Sequence, residues 1–401
     1  MSALANRLKS LPKLAALRVL IKVLPGPKPL VLMGEGAAVR LCNSVADQGY
    51  KRVLIITDDI LLGLGTIAPL QAALEARNVT VSVFSGVKPD PTFEVVEAGL
   101  RAALQASAEA IIVVGGGSAI DAAKVVALSA STGKSPQALV GVLKGRKPTL
   151  PLFAVPSTSG TGSEASVAAV ISDSRTHIKS LVVDMAMVPQ SAALDPLITQ
   201  GMPPSVTAET GIDALTHALE GWVSEFSNPQ TDSLNRAAVR LILDNLERAC
   251  REPNNLAARD AMALGSHYAG LCLSTTAVGY VHAIAHQLGA RYGVPHGRAN
   301  AMVLPHVLAF NLPACRAKFA LLSRELGIGS GDDASAAQAL LTRVRDLLAA
   351  LPLRHSGDLL RREDYAGIAH DALTEAHGMY AVPRYMIEED VYRVLDAIRA
   401  A

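Results

Sequence analysis

The sequence predicts an α/β N-terminal domain on a doubly wound parallel sheet, followed by an all-α C-terminal domain. Three observations predict this. Short apolar runs alternate with amphipathic helical stretches up to about residue 200. From about Met202 strand-like runs become scarce and Ala/Leu-rich helical patterns follow one another. Gly201-Met202-Pro203-Pro204 punctuates the change. The expected organisation is a basic helical arm over 1–28, an α/β domain over 29–200 and a helical domain over 201–401.

The arm comes first. The opening 30 residues contain Arg7, Lys9, Lys13, Arg18, Lys22 and Lys28 and no acid, while Leu8, Leu11, Leu14, Leu17 and Ile21 recur at helical spacing. Such a helix packs on the body or on a partner subunit, or lies on a membrane surface as an amphipathic or transit-type segment. No apolar run is long enough for a span.

After Pro25-Gly26-Pro27 the α/β pattern begins. Residues 52–57 and 79–84 read as strands, and 66–77 and 91–105 as helices. Ala110-Ile111-Ile112-Val113-Val114 is an unbroken apolar run, as expected of a parallel strand covered on both faces. Residues 150–155 form another such run. The later helical patterns cover 205–225, 230–251, 256–275, 278–291, 334–350 and 386–400.

Composition narrows the function. Of 401 residues, 50% are hydrophobic and 18% charged, and the net charge is +1. That describes a compact protein with a large core, without the basic field that nucleic acid requires. Cys42, Cys250, Cys272 and Cys315 are far apart and form no CxxC, so they read as reduced thiols of a cytoplasmic protein.

The chemistry concentrates in a few segments. Asp213 and His217 are four apart, and so are His282 and His286, with His296 following; four of the ten histidines fall here. Residues four apart share a helix face. One carboxylate and two or three imidazoles suit Fe(II) or Zn(II) with a coordination position left for substrate. The alternative is a set of ordinary core and surface side chains, although polar groups among Ala, Leu and Ile are costly without a partner.

Gly115-Gly116-Gly117-Ser118 directly follows the strand 110–114 and opens a helix. That arrangement offers free N–H groups to a pyrophosphate, or it is a plain tight turn. It is not the GxGxxG fingerprint. Residues 156–164 follow another strand and carry five hydroxyls, in a loop that wraps a nucleotide or is a flexible surface loop. Asp58, at the end of the first strand, either hydrogen-bonds a ribose 2′-OH, favouring NAD over NADP, or caps a helix.

Taken together, these segments resemble the iron-containing (group III) alcohol dehydrogenase family, from about residue 29 to the C-terminus. The resemblance rests on Gly-Val-Lys-Pro-Asp-Pro-Thr (86–92), Gly-Gly-Gly-Ser-x-x-Asp (115–121), Ser-Thr-Ser-Gly-Thr-Gly-Ser-Glu (157–164), Met202-Pro203-Pro204 running into 211–220, and 282–297. It implies the two-domain architecture shared with dehydroquinate synthase. It further implies a metal-dependent, NAD(H)-linked dehydrogenase acting on a small alcohol, diol or aldehyde.

By the same resemblance Asp213, His217, His282 and His296 would hold Fe(II) or Zn(II), and His286 would lie near the nicotinamide; an imidazole there, able to titrate near neutrality, is the candidate proton relay. Gly116, Gly117, Ser118 and Asp121 belong to the pyrophosphate motif. Ser157, Thr158 and Thr161 would contact adenosine and phosphate, Asp58 would set NAD preference, and Lys179 would reach the ribose. Asp90, where the family often has Asn, joins the expected cofactor residues. A homo-oligomer, dimer or larger, is expected, with no nucleic acid and no membrane span. Rival readings on the same residues are an NAD- and metal-using lyase, a metal-dependent hydrolase and a non-enzymatic scaffold that keeps the fold.

Three departures stand out. Glu209 replaces a small apolar residue one turn before Asp213, where it would either add charge beside the metal or face solvent. Ala381-Val382-Pro383-Arg384 replaces Thr-Asn-Pro-Arg. The basic arm exceeds what the family needs.

Overall fold

The structure is a computed structural model and describes residues 3–23, 26–145, 148–175, 179–354 and 356–400. Pro25, at the expected start of the α/β pattern, and the side chain of Lys22 lie outside the described residues. The chain divides into two compact units. One comprises Gly26–Met202 and Asn254–Gly270; the other comprises the N-terminal helix, Pro203–Pro253 and the chain from Leu271 on.

The α/β unit contains β1 (Leu30–Met33), β2 (Arg52–Ile56), β3 (Thr80–Phe84), β4 (Ala110–Gly115), β5 (Gly141–Val142), β6 (Leu152–Pro156), β7 (Ala168–Ser172), β8 (Lys179–Val183) and β9 (Ser191–Leu194). Six strands form a parallel sheet in the order β1-β9-β6-β4-β2-β3. Alternation along the strands feeds two cores. Leu54, Ile56, Ile111 and Val113 pack with the helices Phe93–Gln105 and Gly117–Thr132. Val53, Ile55, Ile112 and Val114 pack with Ala37–Asp47 and Ala68–Glu75. β4 is buried at every residue, as its unbroken apolar run requires.

The chain leaves β2 for β3 on one side and later places β4 on the other. This reversal opens the crevice where α/β proteins bind ligands, beyond the strands' carboxyl ends. β1, β9 and a small sheet of order β5-β8-β7 are not foreseen in the sequence. β1, β5 and β9 are two to four residues long, too short to show a period.

The helical unit is built from Ala3–Val23, Pro204–Val223, Pro229–Arg251, Tyr280–Tyr292, His296–Glu325, Asp333–Ala350, Tyr365–Ala376 and Glu388–Ala400. Pro229 sits at the first turn of its helix behind an Asn228 capping box, which starts the helix sharply. The 30-residue helix from His296 contains Pro305 and Pro313, which masked it as a helix in the sequence.

The helix Leu256–Thr276, expected wholly in the helical domain, contributes its first part to the α/β unit. Within that unit Arg259 Nη2 donates to Met202 O at 3.1 Å, and His267 Nδ1 lies 2.9 Å from Glu164 Oε1. All four cysteines are free and buried.

Candidate active site

In the helical unit, the helix Pro204–Val223 carries Asp213, His217 and Glu220, three and four residues apart and hence on one face. Tyr280–Tyr292 brings His282 and His286, and His296 opens the next helix. One oxygen, Asp213 Oδ1, lies 3.8 Å from His217 Nε2, 3.4 Å from His282 Nε2 and 3.2 Å from His296 Nε2. Ligand atoms of Asp213, His217 and His282 all fall within 4.8 Å of one another, and all three residues are buried. His296 is the more open, with 37% of its side chain exposed. Asn300 Nδ2 donates to Asp213 Oδ1 at 2.8 Å.

The electrostatics follow from this crowding. Burial pushes the Asp213 carboxyl up, but His217, His296 and His282 outweigh it and hold the group well below the usual carboxylate range. Burial lowers the His282 pKa, and Asp213 and Glu220 reverse that and raise it to about 9. A set of three imidazole nitrogens around one buried carboxylate oxygen fits a divalent cation, which would take the place of the proton.

The residues behind the ligands were not singled out from the sequence. Glu220 Oε2 lies 2.6 Å from His282 Nδ1, and Glu220 also accepts from the backbone N–H of Gly279 and Val281 at 2.8 and 2.7 Å. It thereby turns Nε2 of His282 toward the cluster. The 213, 217, 220 spacing was the available signal. His286 is stacked on His296, with centroids 5.3 Å apart, and its Nδ1 lies 2.7 Å from Glu375 Oε1. Tyr380 donates to the same oxygen at 2.6 Å. No local spacing announces Glu375 or Tyr380, which come from 89 and 94 residues beyond His286.

Glu209 is paired with a cation. Its Oε1 accepts from Arg298 Nε and Nη2 at 2.9 and 2.8 Å, and both side chains are largely shielded from solvent. The helices cross tightly here: a Cβ on Gly297 would lie 2.1 Å from Glu209 O. Val382 and Pro383, in the departing segment, line a small pocket with Glu220, Gly279 and Asn311.

In the α/β unit, Gly116, Gly117 and Ser118 follow β4 and open the helix Gly117–Thr132 at half-buried positions. Thr158 and Thr161 pack on them; a Cβ on Gly117 would lie 2.6 Å from Thr161 Cγ2. Ser157 N donates to Gly115 O at 3.0 Å, tying the two loops. Asp58, after β2, caps the helix Asp59–Gly63 by accepting from Leu61 N at 2.9 Å. Its other oxygen lies 4.0 Å from where a Cβ of Gly115 would be.

Lys179 and Asp90 are paired with each other at 2.9 Å, both exposed. Asp121 stands apart from the other motif residues: its oxygens accept from Ser163 Oγ at 2.5 Å and Val170 N at 2.9 Å, bracing the hydroxyl loop. Buried Lys124, unremarked in the sequence, donates to Ser163 Oγ, Ser166 O and Oγ, and Ala168 O. Burial lowers its pKa to about 8, against Asp121 and Glu164.

Against known proteins, residues 28–196 match the iron-containing alcohol dehydrogenase family and residues 207–399 match that family's C-terminal domain. The chain belongs to the iron-containing alcohol dehydrogenase family. It is an oxidoreductase of the alcohol dehydrogenase type. Alcohol dehydrogenase 4 of Schizosaccharomyces pombe is 37% identical over 349 residues, covering 86% of this chain and 82% of that one. The structure of 1,3-propanediol oxidoreductase superposes with a TM-score of 0.89 at 32% identity, covering 93% of this chain and 99% of that one. Sulfoacetaldehyde reductase from Bifidobacterium kashiwanohense, in complex with NAD+, gives a TM-score of 0.85 at 26% identity, covering 94% and 98%.

Proposed function

We propose that the protein is a metal-dependent, NAD(H)-linked dehydrogenase of a small alcohol or diol, or a reductase of the corresponding aldehyde, using Fe(II) or Zn(II). The observation that carries this reading is the convergence of three imidazole Nε2 atoms on Asp213 Oδ1. Asp213, His217, His282 and His296 would hold the cation. The half-buried Gly116–Ser118 turn with Ser157, Thr158 and Thr161 would hold the cofactor, and the NAD+ complex of the related reductase supports a nicotinamide. When bound, the cation supplies a Lewis acid to the substrate oxygen and the nicotinamide exchanges the hydride.

The chain's own residues move the proton. Glu375 is held ionised because His286 and Tyr380 outweigh the effect of its burial. His286 then donates Nδ1–H to it, which leaves Nε2 as the acceptor for a substrate hydroxyl proton. Asp58, with one oxygen capping a helix, keeps a carboxylate at the β2 end of the crevice that favours a free ribose 2′-OH over a phosphate. A homodimer or larger assembly belongs to the same proposal; the edge strand β1, with Leu30 66% exposed, supports it.

The test is NADH formation from NAD with short primary alcohols and diols in the presence of Fe(II) or Zn(II). His217→Ala should lose bound metal and turnover while still binding NADH and unfolding cooperatively. Full activity in a metal-free His217→Ala variant would overturn the reading.

A further inference from the structure

The helix Ala3–Val23 turns one face to the body and exposes an apolar one. Asn6, Ser10 and Leu14 are buried on the helical unit, with Asn6 Nδ2 donating to Met386 O at 3.4 Å. Leu4, Leu8, Leu11, Val19 and Val23 are instead exposed by 67, 60, 44, 62 and 68%. Steps of three and four residues, with exposed Ala15 between, align them in one stripe along the helix.

At 3.6 residues per turn, exposed Arg7 and Arg18 border the stripe on one side, and exposed Lys9 and Lys13 on the other. Arg7 also reaches Glu225 Oε1 at 3.6 Å, and Arg18 donates to Glu225 O at 3.5 Å, so that edge is tied to the body. The first 30 residues hold six of the chain's 37 Lys and Arg and none of its 36 Asp and Glu.

We propose that this helix docks on an anionic phospholipid bilayer. It would lie in the plane of the surface, with the Leu4–Val23 stripe in the headgroup–acyl boundary and Lys9 and Lys13 on lipid phosphates. Charge selects this occupant. A second copy laid against the stripe would bring Arg and Lys toward Arg and Lys with no acid on either helix. A planar anionic layer matches an apolar stripe bordered by cations, with Lys9 and Lys13 on the edge that Glu225 does not engage. Among the described residues no helix is long and apolar enough to cross a membrane, so the helix lies on the surface.

The test is co-sedimentation of the full-length, metal-loaded protein with vesicles of phosphatidylcholine alone or mixed with phosphatidylglycerol. Binding is expected only to the anionic vesicles and should fall in about 0.5 M NaCl. Leu8→Glu/Leu11→Glu should lower the bound fraction by at least about tenfold, with thermal unfolding and alcohol turnover unchanged. Lys9→Gln/Lys13→Gln, which leaves the apolar stripe intact, should lower it several-fold. Three outcomes overturn the proposal: no binding to anionic vesicles, binding that both variants leave unchanged, or a solution mass that halves in Leu8→Glu/Leu11→Glu, which assigns the stripe to a second copy.

Discussion

Glu220 Oε2 lies 2.6 Å from His282 Nδ1, on the same helix as Asp213 and His217. A carboxylate in this place fixes the tautomer of a metal-binding imidazole and raises its basicity. The same side chain accepts two backbone N–H groups at the start of Tyr280–Tyr292, so it positions the ring and the helix that carries it. Glu220→Gln should therefore weaken metal binding about 10–100-fold. A chelator-competition titration measures this, and unchanged affinity would show that Glu220 serves the helix terminus alone.

The Glu375–His286 contact makes a kinetic prediction. Burial lowers the pKa of His286 and Glu375 pulls it back up. In Glu375→Gln the burial is less opposed, so the acid limb of kcat/KM should move to lower pH. Loss of the preferred tautomer should cost about 10²-fold in kcat with metal content and KM retained. Tyr380→Phe should do less, since the carboxylate stays. A loss confined to KM would remove His286 from proton transfer.

Glu209 and Arg298 join the helix bearing Asp213 to the helix opened by His296. Both side chains are mostly shielded from water, so the pair should show a coupling of about 1 kcal/mol in a double-mutant cycle on unfolding. Glu209→Ala, Arg298→Ala and the double variant, followed by urea denaturation, give that number. Additive losses would mean that Glu209 and Arg298 act independently.

Gly117→Ala tests the cofactor turn. Its Cβ would lie 2.6 Å from Thr161 Cγ2 and 2.9 Å from Oγ1, so the hydroxyl loop must shift. NADH affinity should fall by at least about tenfold, roughly 1.4 kcal/mol, while bound metal is unchanged. Fluorescence titration with NADH reads the first and elemental analysis the second; unaltered NADH binding would move the cofactor away from this turn.

Much of the fold was legible because its signals are local. The 110–114 run demanded a strand covered on both faces, and β4 is one. Helical spacing was enough to put Asp213 with His217 on one face. Signals failed where elements were short, as in β1 and β9, or carried internal prolines, as in the helix from His296. The apolar residues of the arm followed helical spacing, yet Leu14 is buried while Leu8 and Leu11 are exposed. Periodicity reports a helix and leaves open which of its faces meets the protein.

Chain order alone thus settled which residue types recur at helix and strand periods, and where glycines and hydroxyls follow a strand. Packing settled the partnerships. Three histidines meet one oxygen of Asp213, Glu220 sits behind His282, and Glu375 holds His286 from another helix. Glu209 finds Arg298 because Gly297 lets the two helices touch. Each contact joins residues distant in sequence, and its energy depends on which elements cross and at what register, quantities that no local period encodes.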